Sequence, residues 1–261
     1  MKKLHAKGFT LTEVVLAIGV VGVLVVVFMA MFIPARKTVA AALTIREADR
    51  IVSTLSTELS KLRNTERAEA SARQSSSSKY ISSFDKAFYW MKNTAKPETT
   101  ILIYSYRADL GKPVRKDGTP SPYLEGDGSV PGKNTIVFTG CCLASNKERY
   151  EDFQALTSPV FAVRMTQLVV QRSKTAGYMY KLANEPGVIY NPYSSGKEIA
   201  EPSQYVYSSE RSSGINLPWG AEVLYQAEFF QLPHSEPERL KGMRWSQLKD
   251  PVFSRNMAFR R

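Results

Sequence analysis

The chain has 261 residues and a formal charge of +11, from 35 lysines and arginines against 24 acids. Its hydrophobic share of 43% is ordinary for a folded protein and excludes a chain too polar to build a core. The only two cysteines, Cys141 and Cys142, are adjacent, so no spaced disulfide framework holds the fold; the basic balance favours anionic partners (nucleic acid, lipid headgroups, acidic polymers) without choosing among them.

Residues 1–8, MKKLHAKG, carry Lys2, Lys3 and Lys7 and no acid, like the basic head of a secretory signal. From Phe9 to Ile33 the single ionisable side chain is Glu13. As a helix these residues extend roughly 37 Å, enough to cross a ~30 Å hydrocarbon core with some tilt. The run is longer than the ~7–15 residue core of a cleaved signal, and Ala30-Met31-Phe32-Ile33-Pro34 is a poor cleavage end, so the segment reads as one built to stay. A lipid-facing carboxylate costs on the order of 3 kcal/mol near the bilayer centre and less toward the interface, so Glu13 calls for a compensating partner.

Residues 34–70 continue the helix into water. Ala41, Ile45, Ala48, Val52, Leu55, Leu59 and Leu62 alternate in steps of four and three, a seam that could make a coiled coil but is expected to pack on the protein's own sheet. Glu47, Asp49, Arg50, Glu58, Lys61 and Arg63 fall on other faces, and the helix is expected to run to about Asn64. Pro34 lacks an amide donor and marks a place for a kink. Residues 71–96 hold a Ser-rich break followed by a short helix, with Ile81, Phe84, Phe88 and Met91 at helical spacing, ending before Pro97.

Residues 97–234 are β-rich. The stretches 99–108, 134–143, 159–172, 177–183, 203–209 and 220–233 concentrate β-branched and aromatic residues, divided by Gly/Pro/Asp/Ser loops. The longest loop, 110–133, is either functional or mobile. In a strand, Cys141 and Cys142 point to opposite faces, which favours two packing residues over a vicinal disulfide. Residues 235–261 read as a Pro-interrupted basic tail. The fold class is α+β, with a long N-terminal helix packed on a C-terminal antiparallel sheet.

The stretch KGFTLTEVVLAIGVVGVL, from Lys7 to Leu24, resembles the class III signal of type IV prepilins and of the pseudopilins of type II secretion. The order of elements is similar along the whole chain, although the head carries no specific sequence match. The resemblance implies cleavage between Gly8 and Phe9 by a prepilin peptidase and N-methylation of Phe9. It implies that Glu13, at the fifth mature position, neutralises the Phe9 amine of a neighbouring subunit during assembly. It implies other pilin or pseudopilin subunits, the inner membrane and an assembly platform with a motor ATPase as partners. The implied location is the inner membrane with the head in the periplasm, then a bacterial pilus or pseudopilus. Physics favours such a pair independently, since each charge is costly alone in lipid and a close pair cancels much of that cost. The chain lacks the two separated cysteines of many major pilins, its head is long, and Gly19, Gly22 and Pro34 do not sit where the family loosens its helix. These departures favour a minor pilin or pseudopilin.

Catalytic signatures do not arise. Of two histidines, His5 lies in the leader and His234 stands alone, with no Ser-His-Asp set, HExxH or GxxxxGK[ST] motif, so no enzyme activity is expected. Asp117-Gly118 and Asp127-Gly128 hint at a calcium loop but lack EF-hand spacing and read first as turns, and no resident cofactor is expected. Arg239, Lys241, Arg244 and Trp245, with Trp219, Arg255, Arg260 and Arg261, could grip nucleic acid by phosphate contact and stacking; a solvated basic surface explains them as well. A third reading is an unprocessed bitopic protein with a periplasmic β domain.

Overall fold

The computed structural model describes residues 10–67, 80–126, 133–173, 177–190, 198–202, 222–233, 236–248 and 250–260. It divides into two compact units, residues 1–50 and residues 51–261. Helix α1, Leu11–Ser60, contributes to both. The helix is continuous across Pro34. In the first unit its side chains from Leu11 to Met29 are exposed throughout.

In the second unit the last turns of α1 present Ile51, Leu55 and Leu59, each no more than 2% exposed, at the spacing that lines one helix face. Leu55 and Leu59 are the expected seam. Ile51 takes the place expected of Val52, which is half-buried, and the side chains of Ala41 and Ile45 lie outside the described residues. The helix stops at Ser60, earlier than expected, where the Ser60 hydroxyl donates to the Thr57 carbonyl. The next three residues run out of the helix before a short 3₁₀ turn, Asn64–Glu66, and this exit brings Arg63 and Glu66 toward buried charges described below.

Helix α2, Ser83–Asn93, begins with a reciprocal cap, Ser82 accepting from the Asp85 amide and Asp85 from the Ser82 amide. It buries Phe84, Phe88 and Met91, as their spacing predicts, whereas Ile81 is 71% exposed because it precedes the first turn.

The sheet is wholly antiparallel: β1 Ile101–Asp109, β2 Thr135–Leu143, β3 Phe161–Ser173, β4 Gly177–Leu182, β5 Glu222–Gln231 and β6 Phe253–Arg260. The strand order is β2-β1-β3-β5-β6, with β4 on β3. Five of the expected strand stretches match within a few residues, while 203–209 lies outside the described residues. The structure differs at 235–261, read as a tail: Phe253–Arg260 pairs with β5 from Glu222↔Arg260 to Phe229↔Phe253. Phe253, Met257 and Phe259 turn inward, a period-two signal interrupted by Arg255, which falls on the same phase and is exposed.

Both faces of the sheet are covered. One carries Ile101, Ile103, Cys141, Val163 and Phe229 against α1 and α2. The other carries Leu102, Tyr104, Tyr106, Cys142 and Phe230, under Phe153 of the 3₁₀ segment Lys147–Gln154 and Trp245 of the C-terminal region. The two cysteines therefore do face opposite cores, and both thiols are free and buried. Gly140 is fixed by its cross-strand partner Tyr104, whose ring would stand 3.0 Å from an added Cβ.

Candidate functional site

The N-terminal segment is the first candidate. Leu11–Met29 has a mean hydropathy of 2.7, enough length to cross a membrane, and no buried side chain. Glu13 is its only charge. The Thr10 amide donates to Glu13 Oε2 at 2.9 Å and the Thr10 hydroxyl to the same oxygen at 3.0 Å, while the Glu13 amide donates back to Thr10 Oγ1 at 3.3 Å. This is a capping box at the start of α1, and it turns the carboxylate toward the beginning of the chain. The Thr-x-x-Glu spacing of Thr10 and Glu13 carried that signal in the sequence. Gly8 and Phe9, the expected cleavage and methylation residues, lie outside the described residues.

Among the described residues, the basic side chains of the C-terminal region do not form a stacking platform with Trp245. Trp245 is 9% exposed; its indole N–H donates to the carbonyls of Thr94 and Ala95, and its ring packs on Phe230 at 5.1 Å. Arg164 lies over both rings while its guanidinium holds Glu228 through two bonds of 2.7 and 2.9 Å. Trp245 is thus a core anchor. Arg239, Lys241 and Arg244 are exposed, and Arg239 pairs with Glu236 at 2.8 Å. Trp219, His234 and Arg261 lie outside the described residues.

The dominant polar feature is buried. Lys86, on α2, is fully buried and donates to Glu58 at 2.7 Å, Glu66 at 2.9 Å and the Lys61 carbonyl at 3.0 Å, with its ammonium over the Trp90 ring. Arg63 grips Glu58 at 2.6 and 3.0 Å and donates to the Asp117 carbonyl. Asp117 accepts from Arg149, which also reaches Asp152; Asp152 pairs with Arg115 at 2.7 Å and accepts from the Tyr104 hydroxyl at 2.7 Å. Glu58, Glu66, Asp117 and Asp152 thus stand against Lys86, Arg63, Arg149 and Arg115, a balanced set. Glu58, which the spacing puts off the apolar seam of α1, is buried because Lys86 and Arg63 converge on it.

The electrostatics follow from this geometry. Burial pushes the Glu58 carboxyl up, but bonds from Arg63 and the charge of Lys86 outweigh it and hold the group below its ordinary value. Burial likewise opposes, and bonds from Thr119 with the charges of Arg149 and Arg63 overcome, the shift at Asp117, which ends below its ordinary value. At Asp152 burial wins and the carboxyl is raised. Burial also drives the Tyr104 and Tyr106 hydroxyls and both thiols upward, Cys142 to about 12.

The loop after β1 is therefore structural where it is described. Tyr106 donates to the Pro120 carbonyl, Ala108 bridges Pro122, and the Asp117-Gly118 turn, with Gly118 at φ +80°, delivers Asp117 to Arg149. The Asp117 carboxylate is occupied by Thr119 and Arg149, and Asp127-Gly128 lies outside the described residues. Among the described residues no group of three or more His, Cys, Asp or Glu is arranged to hold a metal. A cleft of about 400 Å³ opens beside β1 at Arg107, Tyr123, Glu125 and Gln154. A second, of about 260 Å³, lies between the end of α1 and β2. No family model, no curated protein and no solved structure matches the chain.

Proposed function

We propose that the chain is a minor pilin or pseudopilin, a structural subunit cut between Gly8 and Phe9 and assembled through its N-terminal helix. The observation that carries this reading is an exposed apolar helix, Leu11–Met29, whose single charge stands in its first turn. A side-chain surface that apolar is satisfied by lipid or by other helices of its kind. The cap supports the role of Glu13. It turns the carboxylate toward the chain start through Oε2, so an amine at Phe9 of a neighbour meets an acid already oriented. One long helix followed in the chain by an antiparallel sheet supports this reading.

Mass spectrometry of the membrane form tests the proposal. It should give a chain beginning at N-methyl-Phe9. Replacing Gly8 by a bulky residue should leave the full-length precursor, and Glu13→Leu should be cut yet fail to enter filaments. One observation favours a second reading, an unprocessed bitopic anchor: the capping box gives Glu13 a partner within its own chain. A mature form that still begins at Met1 would establish that reading and end the first.

A further inference from the structure

The two edges of the sheet are built differently. Strand β6 carries Arg255 and Arg260, charges of the kind that keep edge strands from pairing with other chains. Strand β2, TIVFTGCCL, has nine residues with no charge and no proline, and each is in unbroken register with β1. Its first half is open: Ile136 is 42% exposed and Val137 59%.

The hydrogen-bond phase of β2 follows from β1. Ser105, Arg107 and Asp109 direct their backbone groups away from β2, to Thr157, Ala155, Tyr123 and Ser121. The even residues of β1 therefore bond to β2, and through the register these meet Ile136, Phe138, Gly140 and Cys142. Thr135, Val137 and Thr139 are left with N–H and C=O groups pointing off the sheet. Among the described residues no strand pairs with that side of β2. Such a row is left to water or is met by another extended backbone.

We propose that β2 is an interface between copies of this chain, pairing antiparallel with β2 of a second copy about Val137. A two-fold axis there sets Val137 opposite Val137 and Thr135 opposite Thr139, so each outward group meets its complement. The strand's lack of charge lets it meet itself without like charges opposed, which matters in a chain of net charge +11.

The test is the mass of the full-length chain in detergent, by sedimentation or light scattering, for wild type, Val137→Lys, Val137→Pro and Val137→Thr. Val137 is exposed and its amide points off the sheet, so these changes remove no bond to β1, and unchanged circular dichroism verifies the fold. A wild-type dimer that V137K and V137P convert to monomer, and that V137T retains, supports the contact. A wild-type monomer overturns it, including one that pairs through β2 only with a different protein. So does a dimer that V137K and V137P leave intact, which would place the contact elsewhere, as on the apolar helix. The readout does not depend on where the mature chain begins, so it stands or falls separately from the filament proposal.

Discussion

Glu13 and Glu58 lie on the same helix and solve the same problem in opposite ways. Glu58 is buried among Arg63 and Lys86, which are brought to it by the exit of α1 and by α2. Among the described residues Glu13 has only its own cap at Thr10, on a segment, Leu11–Met29, whose apolar side chains are exposed. In the head the buried carboxylate meets cations, whereas the N-terminal segment leaves its apolar area exposed. That contrast separates the part of the molecule that can be tested by its own stability from the part that must be tested by what it joins.

The largest expected effect comes from opening the closed region. Lys86→Met leaves Glu58 and Glu66 without their shared cation and should cost about 3–5 kcal/mol, read by urea unfolding of the head in detergent. Loss of less than about 1 kcal/mol would mean that Arg63 alone suffices. Leu55→Ala, at the fully buried face of α1, should cost about 2–5 kcal/mol through lost contact and the cavity left behind.

Acid should come next. Glu58 and Asp117 are held below their ordinary values of 4.5 and 3.8, so their contribution is full above those values and is lost as pH falls through the lower folded ones. Asp152 is raised, so its contribution has the opposite sign, present below 3.8 and lost as pH rises through its folded value. The lowered Glu58 and Asp117 predict a fall in unfolding midpoint on acidification below about pH 4, which the raised Asp152 opposes. Glu58→Gln should flatten that fall, and an unchanged slope would remove Glu58 as its source. Ser82→Ala removes the α2 cap and should cost about 1 kcal/mol, visible as a small midpoint shift. Smallest of all, Glu13→Gln should leave the head's unfolding midpoint where it was while filament entry is lost. A shift in head stability would show that the two regions are coupled.

Much of the head could be read from the sequence because its strands are marked by runs such as ILIYSY at Ile101–Tyr106 and VFAVRM at Val160–Met165, and its helices by the spacing of Leu55 with Leu59 and of Phe84 with Phe88. The charge network could not. Glu58 and Lys86 are separated by a loop and a helix start, and Asp117 meets Arg149 across β2, so no local periodicity reports either pair. Glu58 looked like any polar position on an amphipathic helix. Trp245 and Arg244 looked alike as tail residues, yet only the indole had a buried carbonyl pair to meet. At the N-terminus the cap of Glu13 by Thr10 is local, and its Thr-x-x-Glu spacing is legible in the sequence.

The adjacent thiols offer a use. Cys141 and Cys142 sit one residue apart yet report on separate compartments, the helix side of the sheet and the side beneath Phe153 and Trp245. A thiol reagent followed by fragmentation would therefore time the opening of each layer independently. With single serine replacements, the chain becomes its own two-channel probe of which covering peels away first.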